Sequence, residues 1–178
     1  MQRVLFFALT LIVNYSALAI STGLTVEQHA TSEYGTTYRL YATFDDPGDW
    51  VAAVYGLQPA EGDLRTMILA EGTAQIFQST AGDNFGQVIN PMFYAFVPDL
   101  IYDSWLTIGS EDNQGDGGVQ STGMGPELAA FNAGTGFSDC SGLWFVAAGD
   151  PSPDWLSGDD LKVLLAQITM TNNDDGTP

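Results

Sequence analysis

Positive charge is nearly absent from this chain: 178 residues carry Arg3, Arg39, Arg65 and Lys162 against 22 acids. Nucleic-acid binding depends on cationic side chains that displace counterions from phosphates, and four scattered cations build no such patch. Docking on anionic lipid headgroups is excluded on the same ground. His29 is the one histidine, which rules out a multi-histidine zinc site and an H-E-x-x-H protease. It alternates with Gln28 and Ala30 in a strand-like segment, where an ordinary edge position is expected. Cys140 is also alone, so no disulfide framework supports the fold and the core must do so. With no histidine near it in sequence, Cys140 is expected to pack as a small apolar residue and not to act as a nucleophile. A G-x-S-x-G elbow and a phosphate-cradling G-x-x-x-x-G-K are both missing.

Long apolar runs are scarce too, and the most informative one opens the chain. Arg3 precedes an apolar stretch from Val4 to Val13, and Ala17-Leu18-Ala19 sets small residues at −3 and −1 of a cleavage site. This is the layout of a secretory signal peptide over residues 1–19, too short to span a bilayer at roughly 17–25 residues. Cleavage before Ile20 leaves a chain with three cations (Arg39, Arg65, Lys162) against 22 acids, a balance of −19. A surface of that sign suits high salt or divalent cations, such as a marine setting. The acids are spread singly among apolar and aromatic residues, the pattern of a folded chain and not of a disordered acidic tail.

Twenty Gly and eight Pro divide the sequence into short segments, as in an all-β antiparallel sandwich with two short helices in its connections. One domain is expected over residues 20–171, with a tail or linker at 172–178. The clearest strand is 38–44 (YRLYATF), which alternates strictly. Asp45-Asp46-Pro47-Gly48 supplies turn chemistry, so 38–44 and 50–55 are expected to form a hairpin. Further strands are expected at 24–31, 64–69, 75–78, 105–108, 143–147 and 161–171. Asn90-Pro91 followed by MFYAF predicts a short buried helix ended by Pro98, and 126–132 (PELAAFN) predicts a second. A polar loop is expected from Gly109 to about Gly123.

Three features carry candidate chemistry. In the loop 111–118, Asp112, Gln114 and Asp116 occupy positions 1, 3 and 5 of a calcium loop, with Gly117 at the turn. The twelfth position is Gly123 where a bidentate Glu belongs, so the loop is no EF-hand; a hydrated Ca²⁺ site or a solvated acidic loop are the two readings. Among Trp50, Trp105, Trp144 and Trp155, the last lies in the turn-rich PSPDWLSGDD and is the one expected to be exposed for stacking on a sugar. Asp99 and Asp103 flank an apolar stretch, where a hydrolase carboxylate pair or simple turn capping could use them.

Four stretches, YRLYATFDDPGDWVAAVYG (38–56), NPMFYAFVPDLIYDSWLTIG (90–109), LWFV (143–146) and KVLLAQITM (162–170), together resemble a β-sandwich module of marine algae and bacteria. That module includes the pyrenoid shell proteins, which tile into protein sheets around Rubisco condensates. The resemblance implies a noncatalytic, self-assembling structural role without catalytic residues. Two departures stand out: the module is expected to continue into further strand structure after the stretch 162–170, whereas this sequence stops at Pro178, and the segment after Ala19 contains Glu27 and Glu33 where a plastid transit segment is basic. The expectation is therefore an exported homo-oligomeric or lattice-forming protein, secreted in preference to plastid-bound. An extracellular carbohydrate- or calcium-binding adhesive module is the alternative, and a carboxylate-pair hydrolase a third.

Overall fold

A computed structural model describes residues 21–56, 66–69, 72–115, 118–140, 142–147 and 152–172. The expected signal peptide, Arg65, Asp116, Gly117 and all of the expected tail but Asn172 lie outside these residues, and of Cys140 only the backbone is described.

The fold is β-rich, and its named strands pair antiparallel throughout. In chain order the strands are β1 (Ser21–Ser32), β2 (Gly35–Phe44), β3 (Ala53–Tyr55), β4 (Thr66–Leu69), β5 (Trp105–Leu106) and β6 (Val119–Thr122). Helix α1 (Gly125–Asn132) comes next, then β7 (Gly136–Cys140), β8 (Leu143–Val146) and β9 (Lys162–Met170). They form sheets ordered β1-β2-β9-β5, β3-β8-β6 and β4-β7.

Strand β9 organises the first sheet. Its apolar residues do not alternate with polar ones, because both faces are covered, and a strand covered on both sides loses the period-two pattern. A bulge opposite Leu40 and Tyr41 inserts Leu165, so Leu165 and Ala166 both join one cluster while Leu164 joins the other. The larger cluster gathers Ala42, Phe44, Leu106, Val163 and Leu165 with Val119, Trp144 and Val146 of the second sheet, and with Phe131 of α1. On the opposite face Ile89, Leu100, Trp105 and Leu164 pack with Tyr41, Tyr94 and Val97. Adjacent residues of a strand point to opposite faces, which is why Tyr41 and Ala42 enter different clusters.

Several expectations change. Strand β2 forms its hairpin with β1 through the two-residue loop Glu33-Tyr34. At Gly35 φ is +131° and a Cβ would fall 2.0 Å from the Met170 carbonyl oxygen, so only glycine fits there. The Asp45–Gly48 turn does not return the chain on itself; it carries it to the second sheet, where β3 pairs with β8. Residues 75–78 give only an isolated bridge between Ile76 and Met170. The second helix is present as α1, but the first is not α-helical. Asn90 does act as a cap, its Oδ1 accepting from the Met92 N–H at 3.0 Å. The element it caps is the 3-10 turn Pro91–Phe93, and Pro98 begins another, Pro98–Tyr102. Nor is this segment buried. Met92 is 77% and Phe96 82% exposed, and Val88, Phe93 and Ile101 are exposed beside them. Isolated 3-10 turns cannot put four successive apolar side chains on one inward face. The expected loop after Gly109 contains β6.

Candidate functional site

Asp112 of the calcium-loop residues turns its carboxylate onto the loop's own backbone. Asp112 Oδ1 accepts from the Gln114 N–H at 2.8 Å, and the Asp112 carbonyl accepts from Gly115 at 3.3 Å. This is an Asx turn, made by a side chain imitating a backbone acceptor. Asp116 lies outside the described residues, among which no three His, Cys, Asp or Glu side chains converge to hold a metal. Glu111 is drawn elsewhere: Arg39 donates to both its carboxylate oxygens at 2.8 and 2.9 Å. That fork pins the loop to β2.

Trp155 is not a stacking platform. It is 8% exposed, at the end of a 3-10 turn Pro153–Trp155, and it stacks on Trp50 with centroids 6.3 Å apart. The bridge between Trp50 and Leu156 holds the two segments together, so the turn-rich loop is folded inward and its aromatic ring fills the main core. Its indole N–H is buried without an acceptor.

Asp103 is fully buried, whereas Asp99 is half-buried. Both Asp103 oxygens accept backbone N–H groups, from Ser79 at 2.8 Å and Asp83 at 3.1 Å. At Gly82 a Cβ would sit 2.0 Å from Asp103 Oδ2, so the loop closes on the carboxylate with no space for a substrate. Burial pushes the Asp103 carboxyl up to about 7, against the backbone N–H groups of Ser79, Asp83 and Ser104, which favour the charged form. The capping role is the one observed, although the loop it caps is 79–83. Gln167 of β9 anchors the same region by donating to the carbonyls of Ile101 and Asp103 at 3.1 and 2.9 Å.

Lys162 reaches across β2 to Glu27 at 2.7 Å, its ammonium 4.6 Å from the Tyr41 ring centroid. Both cations among the described residues, Arg39 and Lys162, are therefore engaged by acids on one face of the first sheet. A polar cleft of about 320 Å³ lies there between Tyr41, Glu111, Asp154, Asp160 and Lys162.

The arrangement that sequence reasoning missed is at the other side of β1. This twelve-residue strand pairs only with β2 among the described residues, and its outer edge is open. Leu24 and Val26, 67% and 62% exposed, continue the face of Leu40, Ala42 and Phe44 beyond the reach of the second sheet. Between β1 and β3 an apolar groove of about 490 Å³ is walled by Leu24, Ala42, Phe44, Val54, Tyr55 and Leu165. Of the residues in β1 only Glu27 carries a carboxylate, and Lys162 neutralises it. The alternation of Leu24 and Val26 was the available signal; that the face stayed uncovered depends on the partner sheet, which local sequence does not report.

No family model, curated protein or solved structure matches the chain.

Proposed function

We propose that this is a noncatalytic structural protein, exported through the secretory route, that self-assembles into a layer, shell or matrix. In this reading the four-stranded and three-stranded sheets face each other as a β-sandwich across their shared core. The supporting observation is the open β1 edge. Long, flat edges template pairing with another chain, and natural sandwiches blunt them with Lys, Pro, bulges or a covering element. The two register shifts of β1 fall between Ser21 and Gly23 and between Gln28 and Ala30, and among the described residues no Lys, Pro or covering element protects the regular stretch 24–28 between them. Pairing of β1 with β1 of a second copy extends the sheet through main-chain hydrogen bonds. The resemblance to the pyrenoid shell module points the same way, as does the layout of residues 1–19.

The large negative charge opposes association and salt screens it. Purified protein lacking residues 1–19 is expected to form sheets or ordered oligomers as NaCl or CaCl₂ is raised, seen by light scattering and electron microscopy. Val26→Lys, which plants an ammonium at the open edge, removes the layers. A wild-type chain that stays monomeric across both titrations overturns the proposal.

A further inference from the structure

The exposed 3-10 segment and the apolar groove lie on opposite faces of the first sheet. The segment rests on that sheet through Ile89 and Leu100 over Leu164 and Tyr41. The groove is floored by Leu165 and Ala42, the strand neighbours of those two residues, which point the other way. One face thus presents a knob of Met92, Phe93 and Phe96, flanked by Val88 and Ile101, and the other face presents a socket. The socket is of the size that buries most of a small apolar ligand.

We propose that the knob of one copy seats in the groove of the next, giving a head-to-tail contact. It rests on the self-assembly reading and adds to the β1 edge a second contact of a different kind. An edge paired with itself is two-fold symmetric and closes as a dimer. A patch that fits a different surface of the same molecule does not close and propagates. Together the two contacts extend in more than one direction, which a layer requires.

Charge favours a second copy as the occupant. In a chain of net charge −18, residues 86–98 contain no Asp, Glu, Lys or Arg, the half-buried Asp99 beside Ile101 is the acid that borders the knob, and no wall of the groove is charged. Two copies therefore meet with least repulsion where knob faces socket, and apolar area is removed from water on both sides. Ile89 and Leu100, not Met92 and Phe96, hold the segment down, so the knob is free for a partner. A rigid support lowers the entropic cost of docking. That support comes from the Gln167 bonds to Ile101 and Asp103.

The test uses the protein without residues 1–19 and with Val26→Lys throughout, so that only this contact remains. The parent is expected to form linear oligomers in high salt by analytical ultracentrifugation and electron microscopy. Met92→Ser/Phe96→Ser removes the knob, and Ala52→Asp/Tyr55→Asp, at exposed groove positions, removes the socket. Gln120→Asp/Asn132→Asp adds the same charge elsewhere and should leave the oligomers intact. Each disabled variant should be monomeric, with association weakened tenfold or more. An equimolar mixture of the two should give 1:1 dimers and nothing larger, since each retains one functional half. Dimers absent from the mixture, or oligomers persisting in the knob variant, overturn the contact. Socket variants that melt earlier while the knob variant still associates assign the groove to cover by the chain's own residues, and also overturn it. Without Val26→Lys, layers that survive loss of the knob leave the self-assembly reading standing and this inference refuted. A wild-type monomer under every condition refutes both.

Discussion

Asp103 shows how one buried group sets a pH response. Its folded carboxyl titrates at about 7 and an ordinary one at 3.8. The folded state therefore binds the proton more tightly, and its stabilising effect is complete below about pH 3.8 and lost as pH rises through about 7. Denaturant unfolding between pH 4 and 8 should show wild-type stability falling across that window, by on the order of 2–4 kcal/mol relative to Asp103→Asn. At pH 4, where that effect is intact, the Asn variant is weaker by about 1–3 kcal/mol, because its amide leaves one of the Ser79 and Asp83 N–H groups facing a donor, and the deficit shrinks or reverses by pH 8. A flat pH difference between the two proteins would assign the loss of stability to geometry alone. Asp103 was legible as a carboxylate beside apolar residues and as a cap. Its partners, 20 and 24 residues upstream, were not legible, since nothing local to 79–83 marks a loop that wraps an acid.

Two tryptophans expose the difference between filling a core and joining its elements. Trp144 of β8 donates its indole N–H to the Thr107 carbonyl at 3.0 Å, tying the three-stranded sheet to the end of β5. Trp155 fills the same core with its N–H unpartnered. Trp144→Phe should cost about 1–3 kcal/mol more than Trp155→Phe, because it strands a buried carbonyl and the other removes only an unmet donor. Chemical denaturation of the two variants checks the difference, and equal losses would show that ring volume alone matters. The same elements mark what the sequence could convey. Strands β1, β2, β8 and β9 stand out through alternation or an unbroken apolar run, and α1 through its Pro and Gly boundaries. Strand β6 (VQST) has one apolar residue and hides inside a polar loop. The DDPGD turn was legible as a turn, but whether it joins neighbouring strands or crosses to another sheet depends on β8, some 90 residues away. Trp155 was misplaced for a related reason. Turn composition predicts exposure, whereas its burial comes from Trp50, 105 positions upstream.

At the scale of the molecule, Arg39 and Lys162 are both paired with acids, which leaves most of the 22 carboxylates with no cation among the described residues. Self-repulsion should therefore destabilise the monomer in dilute buffer, where the Debye length is about 30 Å at 0.01 M salt. Raising NaCl to 0.5 M is expected to lift the Tm of the Val26→Lys, Met92→Ser/Phe96→Ser monomer by about 4–8 °C, as about 2 kcal/mol does in a chain of this size. An unchanged Tm would mean the acids are too dispersed to repel. The position of β9 has a consequence in time. It is the last strand of the first sheet to be synthesised, and it lies between β2 and β5, which each pair with it and not with each other. Until residue 170 is made, that sheet can be no more than the β1–β2 hairpin, and its long-range pairings put folding in the slow regime of all-β chains. A chain that cannot finish its main sheet early stays threadable for as long as it is being made.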